Sequence, residues 1–177
     1  MKQIKVGILG LGTVGGGTAL VLQRNANEIK RRVGRSIVVT MASVRNLESE
    51  RLCDCSQLSL TQDPFEIVNN PDIDMVVELI GGETLSKELV LCAIANGKPV
   101  VTANKALLAE RGNILFPAAH DARGCFGFET SVGTSIPIIR TLREGFAGDE
   151  ILKICGILNG TSNYILSCMS REGMDFD

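Results

Sequence analysis

Residues Gly10-Leu11-Gly12-Thr13-Val14-Gly15 form a G-x-G-x-x-G run. They follow the apolar segment 4–9 and open an amphipathic one, the setting that gives this spacing chemical meaning. Gly10 permits a tight turn, Gly12 lets a pyrophosphate approach the backbone, and Gly15 lets the helix pack close to the strand. Thr13 and Val14 supply backbone between the glycines. Unpaired N–H groups at the helix start, reinforced by the helix dipole, attract the anion. A glycine turn without a ligand is one alternative, and the Gly-rich first turn of an adenosyl-dependent methyltransferase is another.

Two further positions could act on such a ligand. An acid at the end of the second strand normally meets the ribose hydroxyls of NAD. Here that position reads Val44-Arg45-Asn46. A guanidinium pairs bidentately with a phosphate, so Arg45 favours NADP(H), with NAD as the alternative. A solvated strand end is the plainer reading of Arg45. Downstream, Gly81-Gly82 and Thr102-Ala103-Asn104-Lys105 end two more apolar runs. Asn104 suits a helix N-cap, which puts Lys105 in a first turn where the dipole opposes its charge. A lysine there gains from an anionic or polar partner: a nicotinamide ribose, a substrate hydroxyl or a carboxylate. A plain surface lysine is the alternative.

The elements that must position these groups follow from periodicity. Residues 4–9, 37–44, 73–80, 99–102 and 125–128 are predicted strands. Helical spacing covers 13–33, closed by Gly34, then 63–68, 84–96, a helix capped by Asn104, and 114–122. This alternation predicts an α/β fold, a Rossmann-type doubly wound parallel sheet covered on both faces. Residues 137–146 and 161–171 are predicted helices, and 150–158 a strand of different context. The expected organisation is a nucleotide-binding domain over 1–147. Residues 148–177 would then be the first strand and helix of a truncated α+β substrate and dimerisation domain, either disordered beyond about Gly148 or with its unpaired strand recruiting another chain.

Composition excludes other classes. The 177 residues carry 18 Lys+Arg against 20 Asp+Glu, a net charge of -2. There is no basic excess for a phosphate backbone, and aromatics are 4% with no Trp, so no nucleic acid is expected. No apolar run reaches the roughly 20 residues of a membrane span. No signal core follows Met1-Lys2, so a cytoplasmic protein without a membrane partner is expected. Cys53, Cys55, Cys92, Cys125, Cys155 and Cys168 contain no C-x-x-C, and with the single His120 they form no zinc set. Cys92, Cys125 and Cys155 lie in apolar stretches and read as small buried residues. His120 falls on a helix away from the strand ends, in a surface or packing position.

Five motifs carry a resemblance to a known family: GILGLGTVGGG at 7–17, VVELIGG at 76–82, VTANKALLA at 101–109, FETSVGTSIPII at 128–139 and GILNGTSNYIL at 156–166. In this order they resemble homoserine dehydrogenase over nearly the whole chain. The resemblance implies an oxidoreductase that interconverts L-homoserine and L-aspartate 4-semialdehyde with NAD(P), in threonine, methionine and isoleucine biosynthesis, and acts as a homodimer. It implies that Gly10, Gly12, Thr13, Val14 and Gly15 hold the pyrophosphate, Arg45 the 2′-phosphate, and Gly81 the nicotinamide side. Lys105 matches a lysine close to cofactor and substrate, and Asn159, Gly160 and Thr161 are substrate-proximal. A monovalent-cation site (Na+ or K+), built largely from main-chain oxygens, maps to Glu129, Val132, Thr134 and Ile136.

The chain departs from the family in three places. Thr134-Ser135 replaces small, glycine-rich residues, and Leu85-Ser86 stands where a Pro-Ala pair is frequent. The family's principal acid/base lysine has no counterpart here. The 177 residues are therefore expected to bind cofactor without a full catalytic site. A non-catalytic NADP(H)-sensing module is the alternative.

Overall fold

Six short strands lie parallel in the order β3-β2-β1-β4-β5-β6. They are β1 (Ile4–Leu9), β2 (Ile37–Ser43), β3 (Ser59–Thr61), β4 (Met75–Glu78), β5 (Val100–Thr102) and β6 (Phe126–Gly127). This is the doubly wound Rossmann order, with its switch point between β1 and β4. The computed structural model describes residues 2–157 and 159–176. They fall into two compact units divided between Arg140 and Thr141. No described helix is long and apolar enough to cross a membrane.

In the first unit, alternate residues of β1 serve opposite faces of the sheet. Val6 and Ile8 pack with Ala19, Val39 and Ala42. Leu9 packs with Ile67, Val76, Leu89, Val100 and Leu107. Helices α1 (Thr13–Arg24), α2 (Ala26–Val33), α3 (Phe65–Asn69), α4 (Thr84–Ala95) and α5 (Lys105–Asp121) connect the strands. Two short helices, α6 (Glu129–Val132) and α7 (Ile138–Arg140), complete the unit.

Several elements differ from the sequence expectation. The helix predicted over 13–33 is two helices, broken at Asn25 (φ -102°, ψ 18°), a residue of low helix propensity. The two helices expected after Asn104 are one, because α5 runs through Pro117. Pro117 and Asn113 are both exposed, so water can satisfy the carbonyl that loses its donor. Strand β3 was not foreseen; three residues are too few to show a period. Cys125 and Cys155 are exposed and Cys92 half-buried, against the expectation of burial. His120 lies exposed in the last turn of α5.

In the second unit, α8 (Gly160–Glu172) matches the expected helix, and Asn159 caps it by accepting from the Ser162 N–H at 2.9 Å. The helix expected over 137–146 is the single turn α7 followed by a π-helical turn, Thr141–Gly145. The strand expected over 150–158 does not form: residues 150–157 have no regular structure, and Leu158 lies outside the described residues. A strand needs a ladder for its N–H and C=O groups, and no described strand pairs with this segment.

Gly7 marks the tightest packing of β1, since a Cβ there would overlap Ile67 and lie 3.2 Å from Ile73 Cγ2. Gly7→Ala is expected to destabilise the first unit by about 1–3 kcal/mol through overpacking. The check is the urea midpoint, and an unshifted midpoint would contradict this contact.

Candidate functional site

The glycine turn is held from the neighbouring strand. Gly10 has φ +92°, and a Cβ on it would lie 2.9 Å from the Leu79 carbonyl oxygen. Its N–H donates to Ser43 Oγ at 3.1 Å, while the Leu11 N–H donates to the Ser43 carbonyl at 3.2 Å. A Cβ on Gly15 would overlap the Gly10 carbonyl, so α1 rests directly on the turn. Gly12 has open space where a side chain would stand. No side chain caps α1 and no acid occupies its first turn. The N–H groups of Thr13, Val14 and Gly15 therefore remain free for an anion.

Beside the turn lies a cleft of about 570 Å³ at the carboxyl ends of β1, β2 and β4. Its lining includes Gly10, Gly12, Arg45 and Arg51 and no Asp or Glu. Arg45 is exposed, and Gln62 Nε2 holds its carbonyl at 2.8 Å. Arg51 donates to the carbonyls of Leu11, at 3.3 Å, and Asn46. Its Nε is buried without an acceptor. A cradle that Cβ atoms would fill, two guanidiniums and an orphaned donor fit the phosphate groups of a dinucleotide. An acid positioned for unphosphorylated ribose is missing from the lining.

Across the switch point, one buried carboxyl organises the other loops. Glu78 ends β4 between Leu9 of β1 and Thr102 of β5 and is 0% exposed. Its Oε1 accepts from the N–H groups of Ile80 (3.0 Å) and Gly81 (3.3 Å) and from the Ser86 hydroxyl (3.0 Å). Its Oε2 accepts from Thr102 Oγ1 at 2.6 Å. Thr102 Oγ1 in turn accepts from the Asn104 N–H at 3.1 Å. Asn104 donates from Nδ2 to the Gly82 carbonyl at 2.6 Å, and its Oδ1 caps α5 at the Leu107 N–H at 3.0 Å. Gly81 (φ +79°) and Lys105, exposed in the first turn of α5, are thus tied through one network. Ser131 Oγ donates to the Thr102 carbonyl at 2.8 Å and joins α6 to it.

The residues mapped to a cation lie at the α6–α7 turn. The Glu129 carboxylate accepts from the N–H groups of Ile139 (2.8 Å) and Arg140 (3.0 Å), so it caps α7. The carbonyl of Glu129 accepts from Gly133, and that of Ile136 from Ile138. Val132, Thr134 and Ile136 are exposed. Ser135 takes φ +65°, the left-handed region that the family's smaller residues would enter more easily. Asn159, Gly160 and Thr161 belong to the second unit, at the start of α8.

Sequence reasoning missed Ser43, Arg51 and Glu78. For Glu78 a signal existed, an acid flanked by the apolar residues Met75-Val76-Val77 and Leu79-Ile80. Arg51 sits in a segment without periodicity and gave none.

Comparison with known proteins bears on the same residues. The family model described as "Homoserine dehydrogenase, NAD binding domain" matches residues 10–129, and that described as "Homoserine dehydrogenase" matches 137–177. The chain is 52% identical over 176 residues to a homoserine dehydrogenase of Pseudomonas aeruginosa, covering 99% of this chain and 40% of that protein. It is 40% identical over 178 residues to one of Bacillus subtilis, covering 100% and 41%. The chain spans about two fifths of the length of these relatives. Among solved structures, a homoserine dehydrogenase from Thiobacillus denitrificans superposes with TM-score 0.92 at 54% identity, covering 100% of this chain and 41% of that one. A hyperthermophilic archaeal homoserine dehydrogenase in complex with NADPH gives TM-score 0.78 at 25% identity, covering 99% and 59%.

The Glu78 network generates a stability prediction. Glu78→Ala removes the acceptor of the buried Thr102 hydroxyl and of the Ile80 and Gly81 N–H groups, while the Ser86 hydroxyl keeps the Gly81 carbonyl at 3.2 Å, and should cost about 3–5 kcal/mol. Glu78→Gln keeps the shape and one acceptor and should cost less. Urea denaturation of both variants checks the order, and equal small losses would contradict it.

Proposed function

The chain belongs to the homoserine dehydrogenase family, and from that premise we propose that it forms the NADP(H)-binding part of an enzyme that interconverts L-homoserine and L-aspartate 4-semialdehyde. The observation that carries the cofactor choice is a cleft at the end of β2 with two arginines and no acid. The relative solved in complex with NADPH supports the same choice.

In this reading the free N–H groups of Thr13, Val14 and Gly15 hold the pyrophosphate against Gly10 and Gly12. Arg45 pairs with the 2′-phosphate, and Gly81 lines the nicotinamide side. NADP(H), when bound, supplies hydride donor and acceptor chemistry at the nicotinamide ring. Lys105 lies close to cofactor and substrate and holds a proton at the substrate oxygen. Glu78 acts through Thr102 and Asn104 to position Lys105 and is not itself a catalytic residue. Asn159, Gly160 and Thr161 belong to the substrate side by resemblance. The carbonyl oxygens of Glu129, Val132, Thr134 and Ile136 suit a hard cation, and Na+ or K+ there would brace the α6–α7 turn. Residues 1–147 are the cofactor domain in this reading, and 148–177 begin the substrate and dimerisation domain of a cytoplasmic homodimer. The family's principal acid/base lysine matches no position among the 177 residues, so they hold cofactor without completing the catalytic site.

Calorimetric titration tests the cofactor choice. NADPH should bind about 10–100-fold tighter than NADH, the worth of charge-assisted hydrogen bonds to one phosphate. Arg45→Gln should reduce that preference by up to about tenfold and leave NADH affinity unchanged. Equal affinities would overturn the NADP reading, and binding of neither nucleotide would overturn the cofactor site.

A further inference from the structure

We propose that Arg51 is a second phosphate-binding residue of the cleft, so that a pair of guanidiniums sets the cofactor choice. This rests on reading the cleft as an NADP(H) site. Arg51 lies between β2 and β3, in a stretch (residues 44–58) without helix or strand. Main-chain bonds hold its ends, from the Val44 N–H to the Thr61 carbonyl and from the Leu58 N–H to the Cys55 carbonyl, and side-chain bonds add to them between. The Arg51 guanidinium donates to the Leu11 carbonyl in the glycine turn at 3.3 Å and to the Asn46 carbonyl next to Arg45. It is thereby joined to the pyrophosphate turn on one side and to the end of β2 on the other.

Those two bonds use two of its five N–H groups. The Nε is buried and donates to nothing, although a buried donor left unpaired is costly. Among the described residues, neither Arg51 nor Arg45 forms an ion pair with a carboxylate. The acids in the same stretch do not supply one: Asp54 accepts from the N–H and hydroxyl of Ser56, at 2.9 and 3.0 Å, and neither Glu48 nor Glu50 lines the cleft. Two like charges thus share one wall of a cleft without an acid, an arrangement that a dianion offsets. A ribose 2′-phosphate carries that charge and has oxygens for a planar fork. The ribose hydroxyls of NAD do not. The main-chain bonds hold the Arg51 plane in place before the ligand arrives, whereas Arg45 is exposed and must be ordered by it.

The test titrates 2′-AMP, 5′-AMP, NADPH and NADH into the 177-residue chain and its Arg51→Gln, Arg51→Lys and Arg45→Gln variants, with a melting curve for each. Arg51→Gln should weaken 2′-AMP and NADPH by about tenfold more than it weakens 5′-AMP and NADH, which feel only the lost bond to the Leu11 carbonyl. Arg51→Lys should recover part of the loss, since it restores charge without the fork, and it serves as the test if Arg51→Gln fails to melt cooperatively. Equal weakening of all four ligands would overturn the proposal, because Arg51 would then be only a staple of the glycine turn. So would unchanged binding of 2′-AMP and NADPH by Arg51→Gln while Arg45→Gln loses both, a result that leaves the NADP(H) reading standing. A parent chain that binds 2′-AMP no better than 5′-AMP would overturn both.

Discussion

No side chain fits between the first turn of α1 and the carbonyl of Gly10. That exclusion sets the geometry of the site. Because Gly15 lacks a Cβ, α1 closes on the turn, and its free N–H groups arrive at the cleft mouth. Because Gly10 occupies φ +92°, the chain can reverse there while its N–H reaches Ser43. Strand β2 is thus fastened to the turn by hydrogen bonds, and Arg45, two residues beyond Ser43, arrives beside the same opening. The sheet core on both faces of β1 serves this arrangement by fixing where the turn begins.

The other side of the switch point depends on a different device. Glu78 is buried in the middle of the sheet, where a carboxyl is costly unless its oxygens are occupied. Here both are occupied, by donors from three places in the fold: Ile80 and Gly81 in the loop after β4, Ser86 in α4, and Thr102 at the end of β5. The loop that carries Gly81 and the helix that carries Lys105 cannot then shift independently. Such a network exchanges the tolerance of an apolar core for a single arrangement of the groups around it.

The parts legible in the sequence were those whose cause is local. The glycine spacing, the Asn104 cap, the αL glycine at Gly34 and the apolar runs of β1, β2 and β4 each depend on a few adjacent residues. The place of Arg45 beyond the end of β2 was legible because strand ends are predictable. Asn25 breaks a continuous apolar period that gave no warning, and the strand expected over 150–158 has the right residues but no ladder within the described chain. Glu78 and Arg51 were missed because their partners are far along the sequence: Thr102 is 24 residues from Glu78, and Leu11 is 40 from Arg51. Contacts of that range belong to the fold and leave no period in the sequence.

A crystal structure of the chain with NADPH tests the central claim most directly. The account predicts the pyrophosphate against the N–H groups of Thr13, Val14 and Gly15, with the 2′-phosphate in hydrogen-bond reach of Arg45 and Arg51. A dinucleotide bound elsewhere on the sheet, or one whose 2′-phosphate points to solvent away from both guanidiniums, would contradict it.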